Sequence, residues 1–208
     1  MDARPPLNDR RQSVTVRPAA PAEIPELAGV LARAFGADPM VVWPLLSGDA
    51  LAERIRTMFE IVDTPFAGEG WIYTAGEGVG VMSLMPPAIG EREREIADAI
   101  APAIASLTPD GGERYERFWA WVWSMNGPEP HWLLDQIAVE PAVQGRGIGG
   151  AMLRFAIERA EQHGLPLCLE TGVAGNVPLY ERFGFRVMRE ADAPDGGPHI
   201  WFMRRDPG

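Results

Sequence analysis

The stretch Trp132-Leu133-Leu134-Asp135-Gln136-Ile137-Ala138-Val139-Glu140-Pro141-Ala142-Val143-Gln144-Gly145-Arg146-Gly147-Ile148-Gly149-Gly150 decides the fold. Its first eight residues form a largely apolar run of strand length, and Met152, Leu153, Ala156, Ile157 and Ala160 then recur at helical spacing. The glycines therefore occupy a strand-to-helix turn. At such a turn the first N–H groups of the helix lack internal partners and the helix dipole is positive, which suits an anion. Glycine at 145, 147 and 149 lets a diphosphate approach the backbone without side chains in the way. Two ligand classes compete. Gly145 to Gly150 satisfies G-x-G-x-x-G, and Glu170 follows 20 residues after Gly150, as a dinucleotide-binding fingerprint asks. Only 38 residues follow Glu170, however, and Glu140 to Gln144 separate the strand from the first glycine, so a different pyrophosphate-bearing ligand is favoured. The plain alternative is a flexible turn in a chain with 23 glycines.

Working outward, Val14 to Arg17 alternates as a strand, and Ile24, Leu27, Val30, Leu31, Ala34 and Phe35 mark a helix from Pro21 that Gly36 ends. Leu51 to Val62 predicts a second helix, and Trp71–Thr74 with Val79–Leu84 a hairpin across a glycine-rich turn. Helices are expected after Ile89 and from Tyr115 to Trp123. Beyond the glycine turn come a buried strand Leu165–Leu169, a short helix Val177–Phe183 and strands near Phe185–Arg189 and His199–Arg204. Strands and helices in this order predict a mixed α/β sheet with helices on both faces.

With 208 residues the chain reads as one domain, 13–208, behind a polar, proline-bearing and disordered tail, 1–12. The net charge of -10 disfavours nucleic acid, and all 19 basic residues are arginine. A cationic ligand suits that surface better. One cysteine, Cys168, excludes an internal disulfide, and His131, His163 and His199 lie too far apart for a zinc site, so no metal is expected. The N-terminus lacks the apolar core of a secretory signal and no run reaches membrane-spanning length. The expected location is cytoplasmic, without membrane association.

Gln144-x-x-Gly147-x-Gly149, preceded by Ile137-Ala138-Val139-x-Pro141, resembles the acyl-CoA signature of the GNAT acetyltransferase superfamily. Asn176-x-x-x-Tyr180-x-x-x-Gly184-Phe185 resembles its C-terminal signature. Within the superfamily, Leu169-Glu170-Thr171 followed by Asn176 to Phe185 is most similar to the puromycin N-acetyltransferases and their bacterial relatives. The strong likeness covers about Leu133 to Phe185. It implies a mostly antiparallel mixed sheet with a splayed central strand pair, and direct transfer of an acetyl group from acetyl-CoA to an amine. It also implies that Ile137, Ala138, Val139, Asn176 and Gln144, Gly145, Arg146, Gly147, Ile148, Gly149 and Gly150 hold the cosubstrate. The N–H of Val139 would polarise the thioester carbonyl.

Such a transfer needs an acid for the departing thiolate and a neutral amine. Tyr180 lies four residues after Asn176, so the two share a helix face. A phenol of pKa about 10 can donate its proton without being ionised at neutral pH. Glu170 and Asp135 are the candidate bases or ammonium anchors; the alternative for each is a satisfied structural carboxylate. Cys168 reads as a small buried hydrophobe. The aromatic run Phe118 to Trp123 reads first as core or subunit interface, which leaves a homodimer open. Its Trp119 and Trp123, with Phe35 and Trp43, are candidate walls of an apolar acceptor pocket. The expected function is N-acetylation of a primary amine on a small apolar or aromatic molecule. The alternatives are acetylation of a protein or peptide amine, and a non-catalytic acyl-CoA sensor.

Overall fold

The computed structural model of the chain describes residues 14–46, 48–87 and 89–208; the expected tail, 1–12, lies outside the described residues. Seven strands build one sheet: β1 (Val16–Pro18), β2 (Ile72–Ala75), β3 (Gly80–Met85), β4 (Trp132–Val139), β5 (Leu167–Thr171), β6 (Arg186–Asp192) and β7 (His199–Arg205). Their spatial order is β1-β2-β3-β4-β5-β7-β6, and every pairing is antiparallel except β4 with β5.

Between β1 and β2 run α1 (Ile24–Phe35), α2 (Pro39–Val42) and α3 (Leu51–Gly68); between β3 and β4 run α4 (Gly90–Ala105) and α5 (Glu113–Met125). The crossover from β4 to the parallel β5 is α6 (Ile148–Gln162), and α7 (Val177–Glu181) links β5 to β6. Leu27 and Leu31 of α1 and Ile55 and Phe59 of α3 bury one face of the sheet against Ile72, Val81 and Ala138. Met152, Leu153 and Ala156 of α6 bury the other against Met82, Leu84 and Leu169. A third cluster joins Phe118 and Val122 of α5 to Met40, Ile200 and Phe202. The helices thus cover both faces, as the element order predicts.

Three local departures bear on the site. α3 continues to Gly68, six residues past Val62 and through Pro65, because Phe66 and Ala67 extend its buried face and outweigh the lost helical bond. The unpredicted α2 is nucleated by Asp38, whose Oδ1 accepts from the N–H of Met40 at 2.9 Å, with Pro39 in its first turn. β5 begins at Leu167 rather than Leu165, since the Leu165 N–H still closes the end of α6 on the Ala160 carbonyl. Glu170 consequently sits inside the strand.

Gly80 sets how closely α6 approaches. A Cβ there would lie 2.9 Å from Ile148 Cγ2 and 3.0 Å from Met152 Cε, so only glycine lets the first turn of α6 press onto β3.

Candidate active site

β4 and β5 pair through Trp132↔Leu167 and Leu133↔Cys168 and then part. On its other side β4 stays paired with β3 up to Val139↔Gly80. The Glu140 N–H donates to the Val79 carbonyl at 2.8 Å, and antiparallel bonding alternates, so Ala138 and Gln136 also spend their backbone groups on β3. The N–H and C=O of Ile137 and Val139 therefore face the gap that β5 has vacated. Of these, the Val139 carbonyl accepts from Gln144 Nε2 at 3.1 Å, which ties the start of the glycine turn to the end of the strand. Ala138 itself is buried and its backbone is committed to the sheet, so it contributes packing to this edge.

The turn then delivers the N-terminus of α6 to the same opening. Gly147 is the N-cap at φ 86°, and Gly145 has φ 77°, a region L-residues with a Cβ avoid. A Cβ added at Gly145 or Gly147 would meet nothing within 4 Å. The cradle is thus open on the ligand side, with the unpaired N–H groups of Ile148, Gly149 and Gly150 above it and exposed Arg146 alongside. Free backbone groups on a splayed strand leading into an open anion cradle fit a pantetheine arm and a pyrophosphate in one continuous track.

The other end of the track opens into a cavity of about 690 Å³ between the splay and α1 to α5. Its walls are largely apolar, with Phe35, Phe59, Phe66, Met85, Trp119 and Trp123 among them, and among the described residues the carboxylates Asp38, Glu93, Asp98, Glu116, Asp135 and Glu170 line it while no arginine or histidine does. A bulge in the β3–β4 pairing between Ser83 and Leu84 leaves Asp135 without a cross-strand partner, and Asp135 and its neighbour Gln136 both line the cavity.

Glu170 is the most exceptional of these groups. Both of its carboxylate oxygens are sealed from solvent and make no hydrogen bond of ordinary geometry, although the Asn126 amide is close enough to act on them. Burial pushes its carboxyl up to about 8, the charge of Asp135 adding to this and the Asn126 amide opposing it. Burial likewise pushes Asp135 up to about 6, with Gln136 and Ser83 pulling it back. Glu93 is raised by burial and then by the Asp135 charge. Unpartnered buried carboxylates are costly to ionise alone, and a bound ammonium would remove that cost.

Asn176 and Tyr180 also line the cavity, on the α7 side. The Asn176 amide donates to Thr171 Oγ1 at 3.3 Å, which leaves its carbonyl oxygen for another donor. Tyr180 packs edge-on against Phe185 at 5.9 Å, and burial pushes its phenol up to about 12, with the Asp38 charge adding. It is a protonated donor across the working pH range.

A family model for the acetyltransferase (GNAT) domain matches residues 70–187, more than half of the chain. The chain belongs to the GNAT acetyltransferases. Among solved structures, this GNAT protein is similar to one from Corynebacterium glutamicum described as histone acetyltransferase HPA2 and related acetyltransferase. The two are 27% identical over 94% of this chain and 97% of that one, with a TM-score of 0.72. A mosquito arylalkylamine N-acetyltransferase like 5b shares the fold at 16% identity, over 93% of this chain and 100% of that one, with a TM-score of 0.58. So does a Drosophila melanogaster polyamine N-acetyltransferase that forms N-acetylagmatine, at 15% identity over 93% and 99%, with a TM-score of 0.60. The chain is therefore an acetyl-transferring enzyme, and the family's cosubstrate is acetyl-CoA.

Of the residues singled out from the sequence, the GNAT fold brings Tyr180, Glu170, Asp135, Asn176, Ile137, Phe35, Trp119 and Trp123 to one cavity. Trp43 is not among them. It packs on Phe118 at 5.6 Å under the Arg114 guanidinium at 4.7 Å, because the turn after α2 directs it to the outer side of α5. Sequence reasoning missed Gln136, Glu93 and Asp63. Gln136 Nε2 donates to Asp63 Oδ1 at 2.9 Å, and Asp63 is 1% exposed on the inner face of α3. The available signal was an acid falling in register with Ile55, Phe59 and Phe66 on an apolar helical face.

Proposed function

We propose that this GNAT enzyme acetylates the primary amine of a small molecule that carries an apolar or aromatic body. The observation that carries the reading is Glu170: a carboxylate with both oxygens sealed from solvent, level with the splay, in a largely apolar cavity that no basic side chain lines among the described residues. An acceptor arriving as an ammonium ion supplies the missing charge. The aromatic wall of Phe35, Trp119 and Trp123 accommodates its body. The likeness of Leu169 to Phe185 to the puromycin N-acetyltransferases, and the amine acceptors in the names of two structural neighbours, point the same way.

The residues divide the reaction as follows. Ile137 holds the pantetheine through its free backbone groups, and Gly145 to Gly150 receive the pyrophosphate. Glu170 accepts the proton that the ammonium gives up, with Asp135 beside it sharing the charge. The amine nitrogen bonds to the thioester carbonyl carbon, and the Val139 N–H stabilises the oxygen as it gains charge. The carbon–sulfur bond breaks, Tyr180 gives its proton to the leaving thiolate, and the proton that the attacking nitrogen sheds as the amide forms restores the tyrosine. Raised to about 8, Glu170 is a stronger base than an ordinary carboxylate, which narrows the gap to an ammonium.

The test is thiol release from acetyl-CoA against primary amines with wild-type protein and the Glu170→Gln variant. Turnover that falls by about 10²-fold in the variant, with acetyl-CoA still bound, supports the assignment. Undiminished turnover would return Glu170 to a structural role.

A further inference from the structure

Gln136 occupies a position that the acetylation step does not explain. The residue lines the cavity; its Nε2 donates to Asp63, while its Oε1 is sealed from solvent and has no hydrogen-bond partner. Asp63 itself is an expensive residue for the apolar face of α3, between Phe59 and Phe66. Its Oδ1 accepts from the Gln136 amide, which leaves the carboxamide oxygen as the end without a partner. Glu93 of α4 is close enough for the charge of Asp135 to act on it, so a half-buried carboxylate accompanies Gln136 around Asp135. Among the described residues, none that lines the cavity is basic.

We propose that Gln136 Oε1 and Glu93 form a second recognition point, so that the acceptor carries, besides the amine that is acetylated, a further N–H donor, cationic by preference, on its apolar body. Asp63 is a positioning residue that acts through Gln136. This deepens the amine-acetylation reading and rests on it. A molecule with a single amine leaves Gln136 Oε1 without a hydrogen-bond partner, as it is in the free protein, and brings no donor to Glu93. One with a second donor satisfies both, and a hydrogen bond to a charged group inside such a cavity corresponds to about tenfold or more in specificity.

The experiment compares matched acceptors: alkylamines with α,ω-diamines of equal length, and arylalkylamines with and without a second aminomethyl group. Wild-type protein is expected to favour the second-donor member of at least one pair by about tenfold or more in kcat/KM. In Gln136→Met the advantage shrinks to within about threefold, through KM rather than kcat. Asp63→Leu, which replaces the acid by an apolar residue of similar size, loses the advantage too. Asp63→Asn, which still accepts from Gln136 Nε2, retains it. Equal efficiency of all paired acceptors on wild-type protein would overturn the inference, as would a Gln136→Met variant that slows both members alike. Single amines and diamines that both fail to release thiol, from protein that binds acetyl-CoA, would defeat the acetylation reading itself and this inference with it.

Discussion

Asp135 and Glu170 stand level with each other across the opening between β4 and β5, each two residues past the last pair, Leu133↔Cys168, that the two strands make. Had the strands stayed paired, these positions would be ordinary neighbours in a parallel ladder. Because they part, two carboxylates stand beside a gap where backbone groups of Ile137 and Val139 are also free, and the proposed chemistry rests on that coincidence.

The buried acids set an unusual pH dependence of stability. Asp63 and Glu170 are raised to about 8 and Asp135 to about 6, from ordinary values of 3.8, 4.5 and 3.8, in each case chiefly by burial. The folded chain keeps these protons at a pH where the unfolded chain has released them. Stability present at low pH is therefore lost as pH rises, through about 6 for Asp135 and about 8 for the other two, at no more than about 1.4 kcal/mol per unit for each group. Glu23, Glu140 and Asp206 act oppositely through their arginine partners, but their gain is complete by about pH 5. Denaturant unfolding of the free protein between pH 5 and 8.5 should show falling stability, with a shallower slope in Asp63→Asn. A rising slope would contradict the burial of these groups as neutral acids.

Tyr180→Phe removes one hydroxyl from a ring packed on Phe185 and should leave the fold and acetyl-CoA affinity nearly unchanged. Its kcat should fall by about 10²-fold, with no compensating change in KM. A near-normal kcat, once single-turnover kinetics show chemistry to be limiting, would assign the acid to another group.

Gly147→Trp places a side chain in the open cradle. The positive φ strains the N-cap by about 1–2 kcal/mol, yet no protein atom stands in the way of a Cβ, so the chain should still fold. Calorimetric titration with coenzyme A should show no binding to this variant, with unchanged far-UV circular dichroism. Full affinity would move the pyrophosphate site elsewhere.

What could be read from the sequence divides by range of interaction. The run from Trp132 to Gly150 encodes its own strand, turn and helix through local periodicity, and Asn176 and Tyr180 are coupled by one helical turn, so these were legible. The splay is a failure of pairing between segments more than thirty residues apart, and only the family likeness carried it. The bulge at Asp135 leaves no trace in residue types. Trp43 and Trp119 look alike as aromatic residues near helices, but packing sends one onto Phe118 outside the cavity and the other into its wall. Asp63 announced itself only as an interruption of an apolar face, and its partner on β4 is visible only after folding.

The central claim is that the cavity beside Glu170 takes a small amine and passes its proton to that carboxylate. The most direct measurement is the kcat/KM for acetyl-CoA-dependent thiol release with puromycin, arylalkylamines, polyamines and N-terminal peptides, each with wild-type protein and Glu170→Gln. The account predicts efficient turnover of a small amine bearing an apolar or aromatic body, weak turnover of peptides, and a loss of about 10²-fold in the variant for every good acceptor. Efficient turnover of the peptides alone, or of small amines at equal rates by both proteins, would contradict it.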